Sequence, residues 1–279
     1  MTAKHYALPP GGVPDQAGHI SGRAVFKTAY AVIPNSVLRD IVTSRLPHWS
    51  LTRAWILARP LSGFAETFFQ AILEVQPGGG STRPEPDPDG EGAYFVLAGT
   101  LEIAYADRTE RLGPGGFAWM APGERYRITN TGDEPAVFHW IRKAYQPVAD
   151  IATPSSFTVD ADSVAPVAMA NANGRWRTTR LIDPDDIGHD MHVNVVSLDP
   201  GALIPFAETH VMEHGLYVLE GKAVYRLNED WVEVEAGDFM WLRAFCPQAC
   251  YAGGTGPFSY LLYKDVNRHP DLRLRGSHH

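Results

Sequence analysis

The chain of 279 residues has few cysteines, no excess of basic residues and no long apolar run, and each absence excludes a class of protein. Its two cysteines, Cys246 and Cys250, are too few for a disulfide framework, so we expect a reducing, cytoplasmic setting. The formal net charge of −8 argues against nucleic-acid partners and membrane surfaces, because both require a basic face. No apolar run approaches the ~18 residues of a membrane span, and the first residues lack the order of a secretory signal.

Long stretches with helical periodicity are also scarce, whereas glycine and proline are frequent. The chain contains 26 glycines and 22 prolines, which are spread between short apolar runs. Short apolar runs that alternate with turn-forming residues are typical of β-strands joined by tight connections. We therefore expect an all-β sandwich or barrel.

An internal repeat divides the chain. Residues 93–120 align with residues 215–242 without gaps, at an offset of 122 residues. Six pairs are identical in this alignment: Val96/Val218, Leu97/Leu219, Gly99/Gly221, Gly115/Gly237, Phe117/Phe239 and Trp119/Trp241. Because this offset is about the size of a small β-barrel domain, the repeat predicts two tandem copies of one fold. The matched tryptophans are expected in the core.

The predicted domain boundary lies in a segment of small and polar residues at 147–159. The first domain is expected to span residues 1–150 and the second residues 151–275. Residues 276–279 read Gly-Ser-His-His and resemble the start of an affinity tag, so their histidines carry no functional interpretation.

Three potential metal ligands, Glu208, His210 and His214, stand at even spacings in the second copy. A β-strand alternates its side chains with period two, so one strand would place all three on the same face, which a helix would not do. A carboxylate and two imidazoles on one face indicate a divalent-metal site. Glu213, at an odd spacing from His214, is expected on the opposite face as a supporting or surface residue.

The first copy lacks these ligands. Gly92 stands opposite His214, Tyr126 stands opposite Gln248, and residues 78–89 contain no histidine. The prolines of that segment would also interrupt a regular strand. We therefore expect the first domain to be metal-free and structural, and the chemistry to belong to the second.

The motif pattern resembles that of the cupins, in which two glycine-containing motifs carry the metal ligands. Here six residues separate His214 from Gly221, and Gly237 opens a second motif in which Gln248 takes the place of the last ligand. The resemblance implies a bicupin, which consists of two tandem double-stranded β-helix (jelly-roll) barrels.

The order of the ligands resembles the (S)-ureidoglycine aminohydrolases, a bicupin family of purine and allantoin catabolism. The likeness is dense around Glu208 and in the segment 258–268. It implies a small-molecule substrate, a homo-oligomer and Mn²⁺, or another divalent transition metal, held by four residues: Glu208, His210, His214 and Gln248. It implies substrate-binding side chains at three further positions, Tyr225, Tyr260 and Lys264, and we expect Gln248 to contact the substrate as well.

Several of these residues also have simpler interpretations. Lys264 lies in an apolar strand and, without the resemblance, would be an exposed lysine at a strand end. Tyr225 suits a barrel core nearly as well as a substrate pocket. His192 and Asn194 share one face of a predicted strand and could border the cavity. Arg142, opposite Lys264 in the repeat, is expected in an ion pair or at a subunit surface.

The resemblance implies a reaction in which (S)-ureidoglycine and water give (S)-ureidoglycolate and ammonia. We hypothesise that Glu208 transfers protons and that Lys264 holds a carboxylate or ureido oxygen of the substrate. Two other classes stay open: a metal-dependent bicupin dioxygenase or isomerase acting on another small carboxylate, and a binding or storage bicupin without catalysis. Iron content and oxygen consumption separate the dioxygenase from the aminohydrolase, whereas a storage protein predicts no metal.

Overall fold

The structure is a computed structural model that describes residues 23–35, 44–60, 64–266 and 268. These residues form twenty β-strands and one short 3-10 helix, Ala161–Ser163, which confirms the all-β prediction. None of the described residues belongs to a helix able to cross a membrane. The tag-like residues 276–279 lie outside the described part. In chain order the strands are β1 (Val25–Phe26), β2 (Tyr30–Ile33), β3 (Trp49–Ala58), β4 (Phe69–Ser81), β5 (Gly90–Ala98), β6 (Leu101–Ala104), β7 (Thr109–Leu112), β8 (Gly116–Met120), β9 (Arg127–Thr129), β10 (Ala136–Ala144), β11 (Phe157–Asp160), β12 (Val167–Ala168), β13 (Trp176–Arg180), β14 (Met191–Leu198), β15 (His214–Glu220), β16 (Lys222–Leu227), β17 (Asp230–Glu235), β18 (Phe239–Leu242), β19 (Gln248–Ala252) and β20 (Phe258–Asp265).

The described strands form three sheets. The first copy of the repeat supplies most of a nine-stranded sheet, in the order β11-β8-β5-β10-β4-β9-β6-β7, with β3 paired to β4. The second copy supplies most of an eight-stranded sheet, in the order β1-β2-β18-β15-β20-β14-β13-β12. A three-stranded sheet, β17-β16-β19, packs its buried side chains against the eight-stranded sheet, and the two sheets enclose the second barrel.

The repeat is visible in the strand register. Strand β5 lies between β8 and β10 in the first barrel, as β15 lies between β18 and β20 in the second. Gly92 on β5 pairs with Arg142 on β10, and His214 on β15 pairs with Lys264 on β20. Both partners differ by 122 residues between the copies, so the offset found in the sequence also aligns the two barrels in space.

Strands cross between the two halves of the chain. Strand β2 pairs with β18, with Tyr30 opposite Leu242, so it extends the sheet of the second barrel. Strand β11 pairs with β8, with Phe157 opposite Trp119, so it extends the sheet of the first barrel. The boundary at residue 150 stays a prediction, and each half contributes strands to the sheet of the other.

Buried apolar side chains form three clusters among the described residues. One fills the first barrel, one fills the second, and the third lies between the two barrels. Trp119 and Trp241 both belong to the cluster between the barrels and are 0% and 2% exposed. The predicted core role of this matched pair is therefore correct.

Each of these tryptophans donates a hydrogen bond to a buried glutamate that is also matched across the repeat. The indole Nε1 of Trp119 lies 3.0 Å from Glu91 Oε2, and that of Trp241 lies 2.6 Å from Glu213 Oε1. The Glu213 carboxylate accepts three more hydrogen bonds, from the amides of Glu66 and Thr67 and from the Thr67 hydroxyl. Glu213 is thus a buried link to the loop before β4 and not a surface residue.

Glu91 accepts fewer hydrogen bonds than Glu213 from the described residues, and we expect its ionisation to make the stability of the protein depend on pH. Burial raises the pKa of Glu91 to about 8, above its ordinary value of 4.5. The folded protein therefore retains a proton between about pH 4.5 and about pH 8 that the unfolded chain releases. Stability from this group falls as the pH rises through that window, by about 1.4 kcal/mol per unit.

Glu91→Gln keeps the shape of the side chain and removes its ionisation. We expect the urea midpoint of this variant to exceed that of the wild type at about pH 9 and to fall close to it at about pH 5. Glu220→Gln, at an exposed position on β15, is the matched control and should follow the wild type at both values. Parallel pH curves for Glu91→Gln and the wild type would contradict the interpretation.

Candidate active site

A row of polar side chains crosses the eight-stranded sheet. His214 on β15 pairs with Lys264 on β20, and Lys264 pairs in turn with His192 on β14. Residues directly opposite each other on neighbouring strands project from the same face of a sheet. The register therefore brings an imidazole and an ammonium group together on the inner face of the second barrel.

A cavity of about 100 Å³ opens on this inner face. This volume is well below the roughly 300–1,000 Å³ of drug-sized ligand pockets, so the cavity suits a small molecule. Six of the seven residues predicted for the site line it: Glu208, His210, His214, Gln248, Tyr260 and Lys264. The other lining residues are Met169, Trp176, Thr178, Arg180, Asn194, Val196, Leu216 and Leu262.

The segment that carries the first two candidate ligands is not the predicted strand. Strand β15 begins only at His214, and Glu208 forms an isolated bridge with Gln248. The Glu208 amide donates to the Gln248 carbonyl at 2.8 Å, and the Gln248 amide donates back at 2.9 Å. These two bonds, and not a shared strand face, bring the first and last candidate ligands together.

The two histidines and the glutamine form a compact group. The Gln248 side-chain nitrogen lies 3.4 Å from His214 Nδ1 and 3.5 Å from His210 Nε2, and the two rings are 4.6 Å apart between centroids. His214 Nε2 is buried and has no hydrogen-bond partner among the described residues. Burial lowers the pKa of His210, and that of His214 still further, so both rings are neutral and carry a free lone pair at neutral pH.

The Glu208 carboxylate stands apart from this group. Within the described ranges, no three histidine, cysteine or acidic side chains converge closely enough to hold a metal ion by themselves. Burial raises the pKa of Glu208, and the charge of Lys264 opposes that rise. Two neutral imidazoles nevertheless suit a divalent ion. The side-chain amide of Gln248 suits one as well, because rotating it by half a turn places its oxygen where its nitrogen now lies. Glu208 lines the same cavity as these three side chains, and its membership of the ligand set stays a prediction.

Lys264 is half-buried at the side of the cavity. Burial lowers the pKa of its ammonium group, while the negative charge of Glu208 acts in the opposite direction. Lys264 forms no ion pair with any residue in the described part of the chain, although it faces the cavity. Its position favours the interpretation as a substrate-binding cation over that of an exposed strand end.

The two predicted tyrosines occupy different depths. Tyr260 on β20 lines the cavity, where its ring is 4% exposed. Tyr225 on β16 is fully buried behind it, with ring centroids 6.2 Å apart, and is not among the lining residues. The substrate-binding role of Tyr225 stays a prediction, and in this structure its ring belongs to the barrel core.

Strand β13 supplies lining residues that the sequence interpretation missed. Trp176, Thr178 and Arg180 alternate along this strand and all face the cavity. Arg180 pairs with Asn194 on β14, which also lines the cavity. The alternation of these side chains was available in the sequence, but the pairing of β13 with β14 was needed to direct them inward.

The corresponding region of the first barrel is filled by aromatic rings. Tyr126 stands opposite Gln248 in the repeat, and its hydroxyl group shares a hydrogen bond of 2.8 Å with the hydroxyl group of Tyr94. Tyr94 stacks on Trp140, with ring centroids 5.9 Å apart. This packing supports a structural role for the first barrel, and its lack of a metal stays a prediction.

The chain belongs to the cupin family, since the cupin domain model matches it twice, at residues 71–142 and 194–263. Two curated relatives, both named (S)-ureidoglycine aminohydrolase, are each 28% identical to it. The Escherichia coli K12 protein matches 91% of this chain and 95% of its own length, and the Arabidopsis thaliana protein 96% and 85%. A crystal structure from Pseudomonas aeruginosa, described as a glyoxylate-induced protein, is 57% identical, with a TM-score of 0.88 and coverage of 98% of this chain and 100% of that one.

Proposed function

We propose that this protein is a metal-dependent hydrolase that converts (S)-ureidoglycine and water to (S)-ureidoglycolate and ammonia in purine degradation. The observation that carries the proposal is one small cavity lined by His210, His214, Gln248, Glu208 and Lys264. It lies in a chain that is similar over nearly its whole length to two curated (S)-ureidoglycine aminohydrolases. Cytoplasmic location and assembly as a homo-oligomer are part of the same proposal and rest on the resemblance.

Four side chains are proposed to hold a divalent ion, for which we propose manganese: Glu208, His210, His214 and Gln248. They bring two neutral nitrogens, one amide and a single negative charge, and borderline donors of this kind suit Mn²⁺. A bound divalent ion supplies positive charge that anchors the substrate and polarises its reacting carbon.

The remaining steps belong to side chains of this chain. Lys264, which has no ion partner in the described part of the molecule, binds a carboxylate or ureido oxygen of the substrate. Tyr260 donates a hydrogen bond that orients the ureido group. Glu208 takes a proton from the attacking water and delivers it to the departing amine, so that a C–O bond forms, the C–N bond breaks and ammonia leaves.

The test combines metal content with ammonia release on the purified protein. The protein is stripped with a chelator, reloaded with Mn²⁺ and mixed with freshly generated ureidoglycine while ammonia is measured by a coupled assay. We expect release in the reloaded sample and none in the stripped sample. Metal bound without ammonia release would contradict the proposal, and oxygen uptake in that sample would favour the bicupin dioxygenase.

A further inference from the structure

We propose that Arg180 determines substrate specificity by binding, together with Lys264, the carboxylate of the substrate. The assignment rests on the proposed function and adds to it a residue from β13. Three kinds of observation carry it: the strand register around the cavity, the ion partners of the cavity residues, and the corresponding positions of the first barrel.

The register directs both cations into the same space. Arg180 on β13 pairs with Asn194 on β14, and Asn194 pairs with Leu262 on β20. Lys264 follows Leu262 by two residues and therefore projects from the same face. All four side chains line the cavity, and the uncharged amide of Asn194 lies between the strands of the two cations.

The charge of the cavity is unbalanced. Arg180 and Lys264 are both half-buried, and neither forms an ion pair or side-chain hydrogen bond with a residue that the structure describes. Among the residues that the structure describes, Glu208 is the one carboxylate that lines the cavity. A partly buried guanidinium group without an anion is costly, and its planar donors fit a carboxylate in a bidentate manner. The arrangement therefore calls for an anion from outside the chain.

The two cations are close enough to affect each other electrostatically. Burial is the main cause that lowers the pKa of Lys264, and the positive charge of Arg180 adds to this effect. The same charge also contributes to the lowered pKa of His192, whose main cause is again burial. Arg180, which lines the cavity, is thus close enough to His192 on β14 and Lys264 on β20 for its charge to affect both.

In the first barrel, the corresponding cation is neutralised by carboxylates of the same barrel. Arg142 occupies the position of Lys264, and it binds Glu85 and Asp87 of a loop in the same barrel, with Arg142 Nε 2.6 Å from Glu85 Oε2. The positions of Asn194 and Arg180 are taken there by Ala71 and Ile56, which pair with each other across β4 and β3.

The second barrel therefore differs from the first in two respects. It gains a cation at Arg180 and an amide at Asn194, and its cavity carboxylate, Glu208, acts on Lys264 by its charge but forms no ion pair with it in the described part of the chain, unlike Glu85 with Arg142. Because two cations and one carboxylate line the second cavity, an excess positive charge is left there for an anionic ligand to balance. A small monocarboxylate is the simplest ligand that meets this need in a cavity of about 100 Å³.

The experiment compares a charged and an uncharged ligand of equal size. Ureidoacetate carries the carboxylate and ureido groups of the proposed substrate but lacks its amine, and ureidoacetamide replaces the carboxylate by a neutral amide. Binding of each to the Mn²⁺-loaded protein is measured by calorimetry for the wild type, Arg180→Ala and Arg180→Lys. Thermal unfolding checks that each variant is folded.

We expect Arg180→Ala to weaken ureidoacetate binding by about tenfold or more, because a hydrogen bond to a charged group contributes about 1.5–3 kcal/mol. Arg180→Lys should be intermediate, since lysine keeps the charge but not the bidentate geometry. Binding of ureidoacetamide should be unchanged in both. With ureidoglycine as substrate, KM should rise much more than kcat falls.

Arg177→Ala is the matched control. Arg177 lies on the same strand, faces away from the cavity and pairs with Asp199, so its removal should leave the binding of both ligands unchanged. Equal losses for the charged and the neutral ligand, or no loss for either, would overturn the proposal for Arg180. If the wild type releases no ammonia but ureidoacetate binding still depends on Arg180, the proposed reaction fails and the anion site stands.

Discussion

The His214→Gln variant is expected to bind no manganese and to release no measurable ammonia. His214 is 3% exposed, its ring is neutral because burial lowers its pKa, and its Nδ1 lies 3.4 Å from the Gln248 amide. Without it the site keeps one imidazole, one amide and a carboxylate that stands apart. Loss of residues that only support a ligand weakens metal binding about 10–100-fold, so loss of a ligand should exceed that range.

Glutamine is chosen because it fills most of the buried volume that alanine would leave empty. Two measurements test this: the metal content after dialysis, and the rise of Tm on addition of Mn²⁺. The second works because an ion that binds only the folded state raises Tm. His192→Gln is the control, because His192 lies in the same row of the sheet but outside the cavity lining. Full metal content in His214→Gln would remove His214 from the proposed ligand set.

The Glu208→Gln variant is expected to stay folded and to lose most of its turnover. Glutamine keeps the size of the side chain and leaves the backbone bridge to Gln248 intact. It removes the group that is proposed to move protons, which typically contributes about 10²–10⁴-fold to a rate. Because the carboxylate stands apart from the two imidazoles, we expect a smaller loss of metal than in His214→Gln.

The two roles proposed for Glu208 separate in this experiment. A low kcat with bound metal supports proton transfer, whereas joint loss of metal and activity identifies Glu208 as a metal ligand. Metal retention together with normal turnover would show that neither role is correct. Glu220→Gln, at an exposed position on β15, should match the wild type in both measurements.

Local patterns in the sequence predicted the class of fold and most of the cavity. Short apolar runs between turn-forming residues and the repeat led to two β-barrel domains, and period-two spacing led to Glu208, His210 and His214. The resemblance to the cupins led to Gln248. The prediction of a continuous strand from Glu208 was wrong because the backbone bonds of Glu208 are made to Gln248, a partner 40 residues away. Periodicity does not reveal a partner at that separation.

Arg180 was missed for a related reason. A strand of alternating polar and apolar residues has two faces, and only its neighbours decide which of them is inside. Strand β13 gains its orientation from the pairing of Arg180 with Asn194, and neither residue belongs to the motif that drew attention to the site. The crossing of β2 and β11 between the barrels likewise depends on pairings over long distances in the chain.

That crossing bears on how a duplicated protein can change. If the chain were cut near residue 150, β18 would lose its neighbour β2 and β8 would lose β11, and each fragment would expose an unpaired sheet edge. Neither copy is therefore dispensable, whatever chemistry it performs. The second barrel needs strand β2 from the first copy, whatever side chains fill the interior of the first barrel. That interior can therefore change without removing the strand, and here it is filled by aromatic side chains such as Tyr94 and Tyr126.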